Sequence, residues 1–362
     1  MSLPIVDHRP LDRLLPIDTP LPTWWTSRED QIQHFLETEI RAGVVREWSV
    51  SPGGRPVKLA EYGQPEPELR GQANFNSALG AGSPDAFFRR GLGVRKRPVL
   101  LLMAGAHGAE VEGMVGCLSL IRIVESGKDL VGREQARLAA KLARLRLLVA
   151  PLANPDGRAR VPYDGWVGLT AEEMHRVGQG TRRDGSLYGW PGCKAVHPMR
   201  GDIGFLGSYF DDAGVNLMHD EWPAPMSATT KAVLETIRRE APDIFINLHS
   251  HEAPPSVLLA AYVPTAIKHD LAEFADALYT RFDDAGLAHP AAPAVREDGR
   301  RGTTPPALNL TSMAWHAGAA LSMTFESPHG FRDAQVPFDC GQILQIHHLL
   351  FEAAADYLLP TT

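Results

Sequence analysis

Residues 98–110 read PVLLLMAGAHGAE, an apolar run that ends in small residues, a histidine and a glutamate. The run is apolar at every position rather than at alternate positions, which is typical of a strand buried on both faces. Small residues after it indicate a turn, and the amphipathic stretch Glu112–Glu125 indicates a helix. The segment therefore predicts a strand, a turn and a helix, with His107 and Glu110 where the strand passes into the helix.

The same order of apolar run and amphipathic helix recurs along the chain. The further apolar runs are Leu145–Leu152, Asp243–Leu248, Ser256–Val263 and Ala320–Phe325. The further amphipathic stretches are Arg133–Arg144, Met226–Arg239, Ile267–Ala285 and Gln342–Leu358. Continuous buried strands with helical crossovers predict an α/β fold, a single domain with a mixed, largely parallel central sheet flanked by helices.

The first hundred residues predict peripheral elements. Residues 1–24 are rich in proline and predict an N-terminal arm, which leaves residues 25–362 as one domain. A helix over Ser27–Ala42, capped by Ser27, precedes a hairpin over Val45–Ala60 at the edge of the sheet. Residues 64–97 form a long connection with one short helix near Phe87.

Composition and charge exclude several classes of partner. The chain has 362 residues, with 36 Lys and Arg against 43 Asp and Glu, a net charge of −7. We therefore expect neither a nucleic acid nor an anionic membrane surface as a partner. The three cysteines are far apart, and the N-terminus lacks the features of a secretory signal. These features predict a cytoplasmic protein, and its oligomeric state stays unknown at this point.

Three of the predicted strands are followed directly by residues that can carry out chemistry. His107 and Glu110 follow the first strand, His249 follows Ile244–Leu248, and Glu326 follows Leu321–Phe325. Since ligands bind beyond the carboxyl ends of strands in such sheets, we expect these side chains to converge. Two imidazoles and one carboxylate suit zinc (Zn2+) with one position open for water, and a further carboxylate suits a general base.

The sequence resembles the zinc metallocarboxypeptidase superfamily, the carboxypeptidase A-like group, of which it looks like a divergent member. Matching motifs occur in family order, namely Ser51-Pro-Gly-Gly-Arg55-Pro-Val, Gly105-Ala-His107-Gly-Ala-Glu110, Asn154-Pro-Asp-Gly157, Asn247-Leu-His249-Ser and Thr324-Phe-Glu326. The resemblance implies that His107, Glu110 and His249 hold zinc. It also implies that Glu326 is the general base in the hydrolysis of a peptide bond.

The sequence departs from the family pattern where the substrate carboxylate is bound. The family stretch Gly-x-Asp-x-Asn-Arg, whose last two residues grip that carboxylate, reads Gly214-Val-Asn-Leu-Met-His219 here. His219 is thus a candidate for substrate binding, although a histidine lacks the planar, permanently charged fork of arginine. Either another basic residue replaces the arginine or the substrate lacks that carboxylate. For the second family arginine, which supports the developing oxyanion, we prefer Arg200. The other candidates between Gly157 and Gly214 are Arg158, Arg160, Arg176, Arg182 and Arg183.

Two further positions differ from the family. Asn216 stands where an aspartate commonly orients the first zinc histidine, and an amide raises the basicity of that ligand less than a carboxylate does. The mobile tyrosine of the family is missing, since residues 300–311 read RRGTTPPALNLT. We therefore expect weaker metal binding than usual and hydrolysis without this tyrosine.

Two other functions compete with peptide hydrolysis. Deacylases that resemble aspartoacylase and succinylglutamate desuccinylase share a His-Gly-x-Glu turn and cleave small N-acyl amino acids, so the substrate could be a peptide or an N-acyl amino acid. A non-catalytic module that binds peptide ends is the third possibility. The nearby acids Asp211, Asp212, Asp220 and Glu221 would favour an amine-bearing substrate if they faced the site.

Overall fold

A seven-stranded mixed sheet forms the centre of the molecule. The computed structural model describes residues 3–11, 14–16, 20–65, 97–293 and 306–359. The strands are β1 (Val44–Val50), β2 (Pro56–Tyr62), β3 (Val99–Ala104), β4 (Arg146–Ala150), β5 (Ile244–His251), β6 (Ser256–Leu259) and β7 (Leu321–Pro328). Their order across the sheet is β1-β2-β4-β3-β5-β7-β6.

The four central strands run parallel, as the continuous apolar runs predict. β4, β3, β5 and β7 pair in parallel, whereas β1, β2 and β6 join the sheet antiparallel. Every residue of β3 and β4 is buried, because helices cover both faces of the sheet. The prediction of a mixed, largely parallel α/β sheet is confirmed.

Nine α-helices in the described part of the chain flank the sheet. They are α1 (Glu29–Glu39), α2 (Glu112–Ser126), α3 (Ala136–Leu142), α4 (Pro155–Ala159), α5 (Ala171–Gln179), α6 (Ala228–Glu240), α7 (Thr265–Asp284), α8 (Leu310–Ala317) and α9 (Cys340–Leu358). α2 and α9 carry the longest buried faces on one side of the sheet, and their apolar residues belong to one core cluster. Sequence periodicity did not predict α4, α5 and α8, which are short.

Two details of the predicted elements are wrong. The helix α1 begins after Arg28 rather than Ser27, because the Ser27 hydroxyl donates a hydrogen bond to the carbonyl of Asp164 instead. The strand predicted over Ser256–Val263 ends at Leu259, where the chain leaves its partner β7. The predicted helix near Phe87 lies outside the described residues.

The N-terminal arm contacts the rest of the chain through its backbone. The amide of Val6 donates to the carbonyl of Asp212, and the amide of Leu15 donates to the hydroxyl of Tyr163. The division into an arm of residues 1–24 and one domain of residues 25–362 stays a prediction. Among the described residues, no helix has the length and apolar character needed to cross a membrane.

Candidate metal centre and its cavities

The sheet topology brings the predicted site residues to one edge. β3, β5 and β7 are neighbours in the parallel part of the sheet, so their carboxyl ends lie side by side. His107 and Glu110 follow β3, while His249 and Glu326 lie near the ends of β5 and β7 and face each other in register. Residues far apart in sequence therefore meet at the place that the strand rule predicts.

The turn between β3 and α2 holds His107 and Glu110 in a tightly packed conformation. Gly105 has a φ of +66°, which a residue with a side chain rarely adopts. At Gly108 a Cβ atom would lie 2.2 Å from the backbone of Gly157 and Arg158. The amide of Gly108 donates to the carbonyl of Ser208. Small residues in this turn thus allow a second loop to pack directly against the two candidate ligands.

That second loop is the Asn154-Pro-Asp-Gly157 turn, and its polar side chains join three segments. Asn154 accepts a hydrogen bond from the amide of Gly157 and donates to the carbonyls of Ala106 and Ser208. The buried carboxylate of Asp156 accepts hydrogen bonds from the Ser51 hydroxyl and from Arg55. The hairpin turn after β1 and the turn after β3 are therefore fixed to the same loop, so both motifs support the site.

His107, Glu110 and His249 form a compact, buried set of metal-ligand atoms. Their donor atoms all lie within 4.8 Å of one another. Nδ1 of His107 lies 2.7 Å from Oε1 of Glu110, and Nδ1 of His249 lies 2.7 Å from Oε2. Each imidazole thus directs the same nitrogen toward one carboxylate. Two imidazole nitrogens and a carboxylate at one point match the donor set that zinc prefers.

The electrostatics of this cluster keep the carboxylate charged. Burial opposes ionisation, yet the two adjacent histidines lower the pKa of Glu110 below its usual range. Burial likewise opposes protonation of His249, but the Glu110 carboxylate raises the pKa of this histidine. A cation is therefore favoured at this point, whether it is a proton or a metal ion.

Two residues orient the ring of His107. Its Nε2 lies 3.2 Å from Oδ1 of Asn216, the contact expected from the sequence, so the ring proton is placed there and Nδ1 stays a ligand atom. Tyr209 stacks on the other side of the ring, with 3.8 Å between the centroids and an interplanar angle of 10°. Sequence analysis missed Tyr209, which lies in an irregular segment without periodicity.

Two cavities meet at Glu326 and the two histidines. The larger has a volume of about 500 Å³ and includes Tyr209, His251 and His329 in its lining. The smaller has a volume of about 70 Å³ and includes His219, Leu258 and Thr324. Glu326 lines both cavities, as do His107 and His249. A carboxylate beside a candidate metal centre, at the junction of two cavities, can exchange protons with a bound substrate.

The structure separates the two predicted substrate-binding residues. His219 lines the smaller cavity, where burial and the charge of Lys194 lower its pKa to about 2, so this imidazole is neutral. Arg200 instead donates to the carbonyls of Pro4 and Ala213 and is not among the residues that line either cavity. The role of Arg200 toward an oxyanion stays a prediction that this placement does not support.

Two of the acids near residue 219, Asp220 and Asp212, bind other groups of the protein. Asp220 accepts hydrogen bonds from the amides of Met226 and Ser227. Asp212 forms ion pairs with Arg55 and Arg160. None of the four acids considered for an amine-bearing substrate is among the residues that line the two cavities. The geometry therefore gives no support to an amine-binding site there.

Sequence analysis also missed Trp190 and Lys194, which line the smaller cavity. The Lys194 ammonium lies 3.7 Å from the centroid of the Trp190 ring, a cation–π contact. Both residues belong to the segment Trp190-Pro-Gly-Cys-Lys194, whose last three residues form a 3-10 turn. The sequence offers one indication of Lys194, which is that a basic residue lies between the Asn-Pro-Asp-Gly turn and residue 214. Several arginines lie in the same stretch, so this indication does not single out Lys194.

Comparison with known proteins agrees with this geometry. The zinc carboxypeptidase (peptidase M14) family model matches residues 44–266. A metallo-carboxypeptidase from Burkholderia cenocepacia is 19% identical, with 90% of this chain and 68% of that chain covered and a TM-score of 0.54. None of the curated proteins matches the chain.

Two further solved structures have the same fold. A metallo-carboxypeptidase from Pseudomonas aeruginosa, in complex with (2-guanidinoethylmercapto)succinic acid, is 15% identical, with 90% and 68% coverage and a TM-score of 0.51. Carboxypeptidase A from Helicoverpa armigera is 14% identical, with 92% and 73% coverage and a TM-score of 0.50.

Fold and site together define a protein of the carboxypeptidase fold with a candidate metal centre at the carboxyl edge of its sheet. The family match extends over more than half of the chain and includes β1 to β6. It also includes the three candidate metal ligands, His107, Glu110 and His249, whereas the candidate base Glu326 lies beyond it. The chain belongs to the zinc carboxypeptidase family.

Proposed function

We propose that this protein is a zinc-dependent hydrolase that cleaves an amide bond at the end of a peptide. The observation that supports this most is the position of Glu326 beside the donor cluster of His107, Glu110 and His249, at the junction of two cavities. A binding module without catalysis needs no free carboxylate at this junction. The family acts on peptides, and we propose the same substrate class here.

The three clustered residues would hold the metal. His107 and His249 would bind through Nδ1 and Glu110 through its carboxylate, since these atoms already converge. Zinc in such a site supplies Lewis-acid activation of water and of the carbonyl group. Asn216 and Tyr209 keep the ring of His107 in the orientation that binding needs.

Glu326 would carry the proton. Its carboxylate accepts the proton of the attacking water and then donates it to the nitrogen of the departing amine, so it ends each cycle unprotonated. The two cavities on either side of Glu326 would hold the two sides of the scissile bond. The larger cavity would take the longer side of the substrate, because the smaller cavity is too small for a continuing chain.

Replacement of Glu326 by Gln tests the proposal. The amide has nearly the same shape but accepts no proton, so we expect kcat for a blocked dipeptide to fall about 10²- to 10⁴-fold. Bound zinc, measured by atomic absorption, should stay at the wild-type level because Glu326 is outside the donor set. Glu47→Gln, an exposed position on β1, is the matched control and should retain full activity.

The same assay separates the competing functions. A zinc-loaded protein that hydrolyses N-acyl amino acids but no peptide would be a deacylase of the kind considered from the sequence. A protein that binds peptides but hydrolyses neither substrate would be a binding module. Unchanged turnover in Glu326→Gln would contradict the proposed mechanism. The cytoplasmic location predicted from the sequence stays a prediction.

A further inference from the structure

The smaller cavity has one fixed positive charge among the described residues that line it. Its walls are partly apolar, with Met218, Leu258 and Leu259. Thr311 and Thr324 add hydroxyl groups, and these two hydroxyls lie 2.7 Å from each other. Lys194 is the one lysine or arginine in this lining. The Glu326 carboxylate, which the proposed mechanism uses as the base, also lines this cavity. Apart from it, Lys194 carries the one fixed charge of this lining, so the cavity suits a ligand that is partly apolar and carries one negative charge.

Lys194 is held at a defined place in this cavity. Its ammonium stacks over the ring of Trp190, and that ring lies 6.2 Å from the ring of His219. The neighbouring His219 is neutral, so the positive charge at this end of the cavity belongs to Lys194. Position 219, where the family arginine would stand, therefore provides a neutral group, and the cation comes from another loop.

Asn309 adds a second donor to the same lining. Its Oδ1 accepts hydrogen bonds from the amide and the hydroxyl of Ser312 at the start of α8. With this oxygen engaged, the other amide atom, Nδ2, can only donate. An ammonium and an amide NH2 group in one cavity form a pair of donors that a carboxylate can accept.

We propose that Lys194 binds the carboxylate of the substrate residue on the leaving-amine side of the scissile bond. Asn309 is its partner as a hydrogen-bond donor, and the apolar wall receives the side chain of that residue. This inference rests on the proposed function and narrows its substrate class to compounds with a free carboxylate next to the leaving amine. Peptides with a free C-terminus and N-acyl amino acids share this chemistry.

The size of the cavity agrees with this class. A volume of about 70 Å³ beside Glu326 is too small for a continuing chain and favours a small terminal group. A terminal ammonium would be repelled by Lys194, whereas a terminal carboxylate is attracted. The cation thus distinguishes the carboxyl end of a peptide from its amino end.

Lys194→Met tests the inference, because methionine keeps much of the length and apolar character of the stem but has no charge. The substrates are a blocked dipeptide that ends in valine, the same dipeptide amidated at its C-terminus, and N-acetyl-L-valine. Two of these substrates have a free carboxylate, and the one that the wild type cleaves is used for the comparison. For this substrate we expect Lys194→Met to lower kcat/KM about 10- to 100-fold, mainly by raising KM. Cleavage of the amidated peptide should be unchanged, and Lys194→Arg should retain most of the preference for the free acid.

Two results of this assay would overturn the inference. Equal loss of kcat on the free and amidated peptides would place Lys194 at the reacting carbonyl group instead. No loss on either would mean that Lys194 has no part in binding. The relative rates on the dipeptide and on N-acetyl-L-valine show which source of the carboxylate the cavity takes, and either preference agrees with the inference.

Calorimetry separates this inference from the proposed function. The zinc-saturated, full-length Glu326→Gln protein is titrated with N-acetyl-L-valine and with N-acetyl-L-valinamide, with and without Lys194→Met. Preference for the acid of about 10-fold or more, lost in Lys194→Met, supports the inference even if the wild type hydrolyses nothing. If the Glu326→Gln protein that retains Lys194 binds the acid and the amide equally well, the inference is overturned, whether or not the wild type is active.

Discussion

At the scale of single residues, the orientation of His107 depends on an amide where a carboxylate is common in the family. Oδ1 of Asn216 accepts hydrogen bonds from two donors at once, Nε2 of His107 and the amide of Met218. A neutral acceptor holds the ring in place but polarises it weakly. A metal ion bound through His107 would therefore be held less tightly than with a carboxylate at this position.

We expect Asn216→Asp to bind zinc about 10-fold more tightly than the wild type, because a carboxylate makes the histidine a more basic ligand. Competition with a chelator of known affinity measures the change. Asn216→Ala, which removes the acceptor, should weaken binding by a similar factor. Equal affinities in the three proteins would show that this contact does not act on the metal.

The residues of the site differ in how far the sequence predicts them. His107, Glu110, His249 and Glu326 each follow or end a continuous apolar strand, so the strand rule alone brings them to one edge. Lys194 and Tyr209 belong to loops without periodicity, and their positions depend on packing between distant segments. Arg200 has the right charge and sequence position, but its guanidinium binds backbone carbonyls instead.

At the scale of elements, the site depends on the contact between two turns that follow β3 and β4. Gly108 makes this contact possible because the backbone of residues 157 and 158 occupies the place of its missing side chain. The continuous apolar runs predict the strands before both turns. The close approach of the turns has no counterpart in the periodicity of the sequence.

Gly108→Ala should lower the free energy of unfolding by about 1–3 kcal/mol, because backbone rather than a flexible side chain must move. The displaced turn should also weaken zinc binding. Gly192→Ala is the matched control, since its φ is ordinary and no atom lies within 4 Å of the place that an added Cβ would take. Urea unfolding of both variants measures the difference, and equal stabilities would contradict the tight contact.

At the scale of the whole molecule, a buried histidine makes stability depend on pH. His347 on α9 packs against Gly116 of α2, and its Nδ1 lies 2.9 Å from the carbonyl of Ile343. Burial lowers the pKa of His347 to about 4, while an unfolded chain has a histidine pKa of about 6.5. Between these values the unfolded chain takes up a proton that the folded chain does not, so stability falls as pH falls.

We expect this histidine alone to reduce the free energy of unfolding by about 2 kcal/mol between pH 7 and pH 5. His347→Asn retains a donor for the Ile343 carbonyl but does not titrate. The variant should be less stable than the wild type at pH 7. The difference in free energy of unfolding between the two proteins should be about 2 kcal/mol smaller at pH 5 than at pH 7. Urea unfolding in the presence of a chelator provides the comparison, and a constant gap would contradict the assignment.

The distance in sequence between the candidate ligands has a consequence for the lifetime of the protein in a cell. Glu110 and His249 are 139 positions apart, so an ion held by both would close a long loop of the chain. Because such an ion binds the folded chain preferentially, its concentration shifts the balance between folded and unfolded molecules. When the metal is scarce, more of the chains would be open to proteases, and metal availability would set how long each molecule survives.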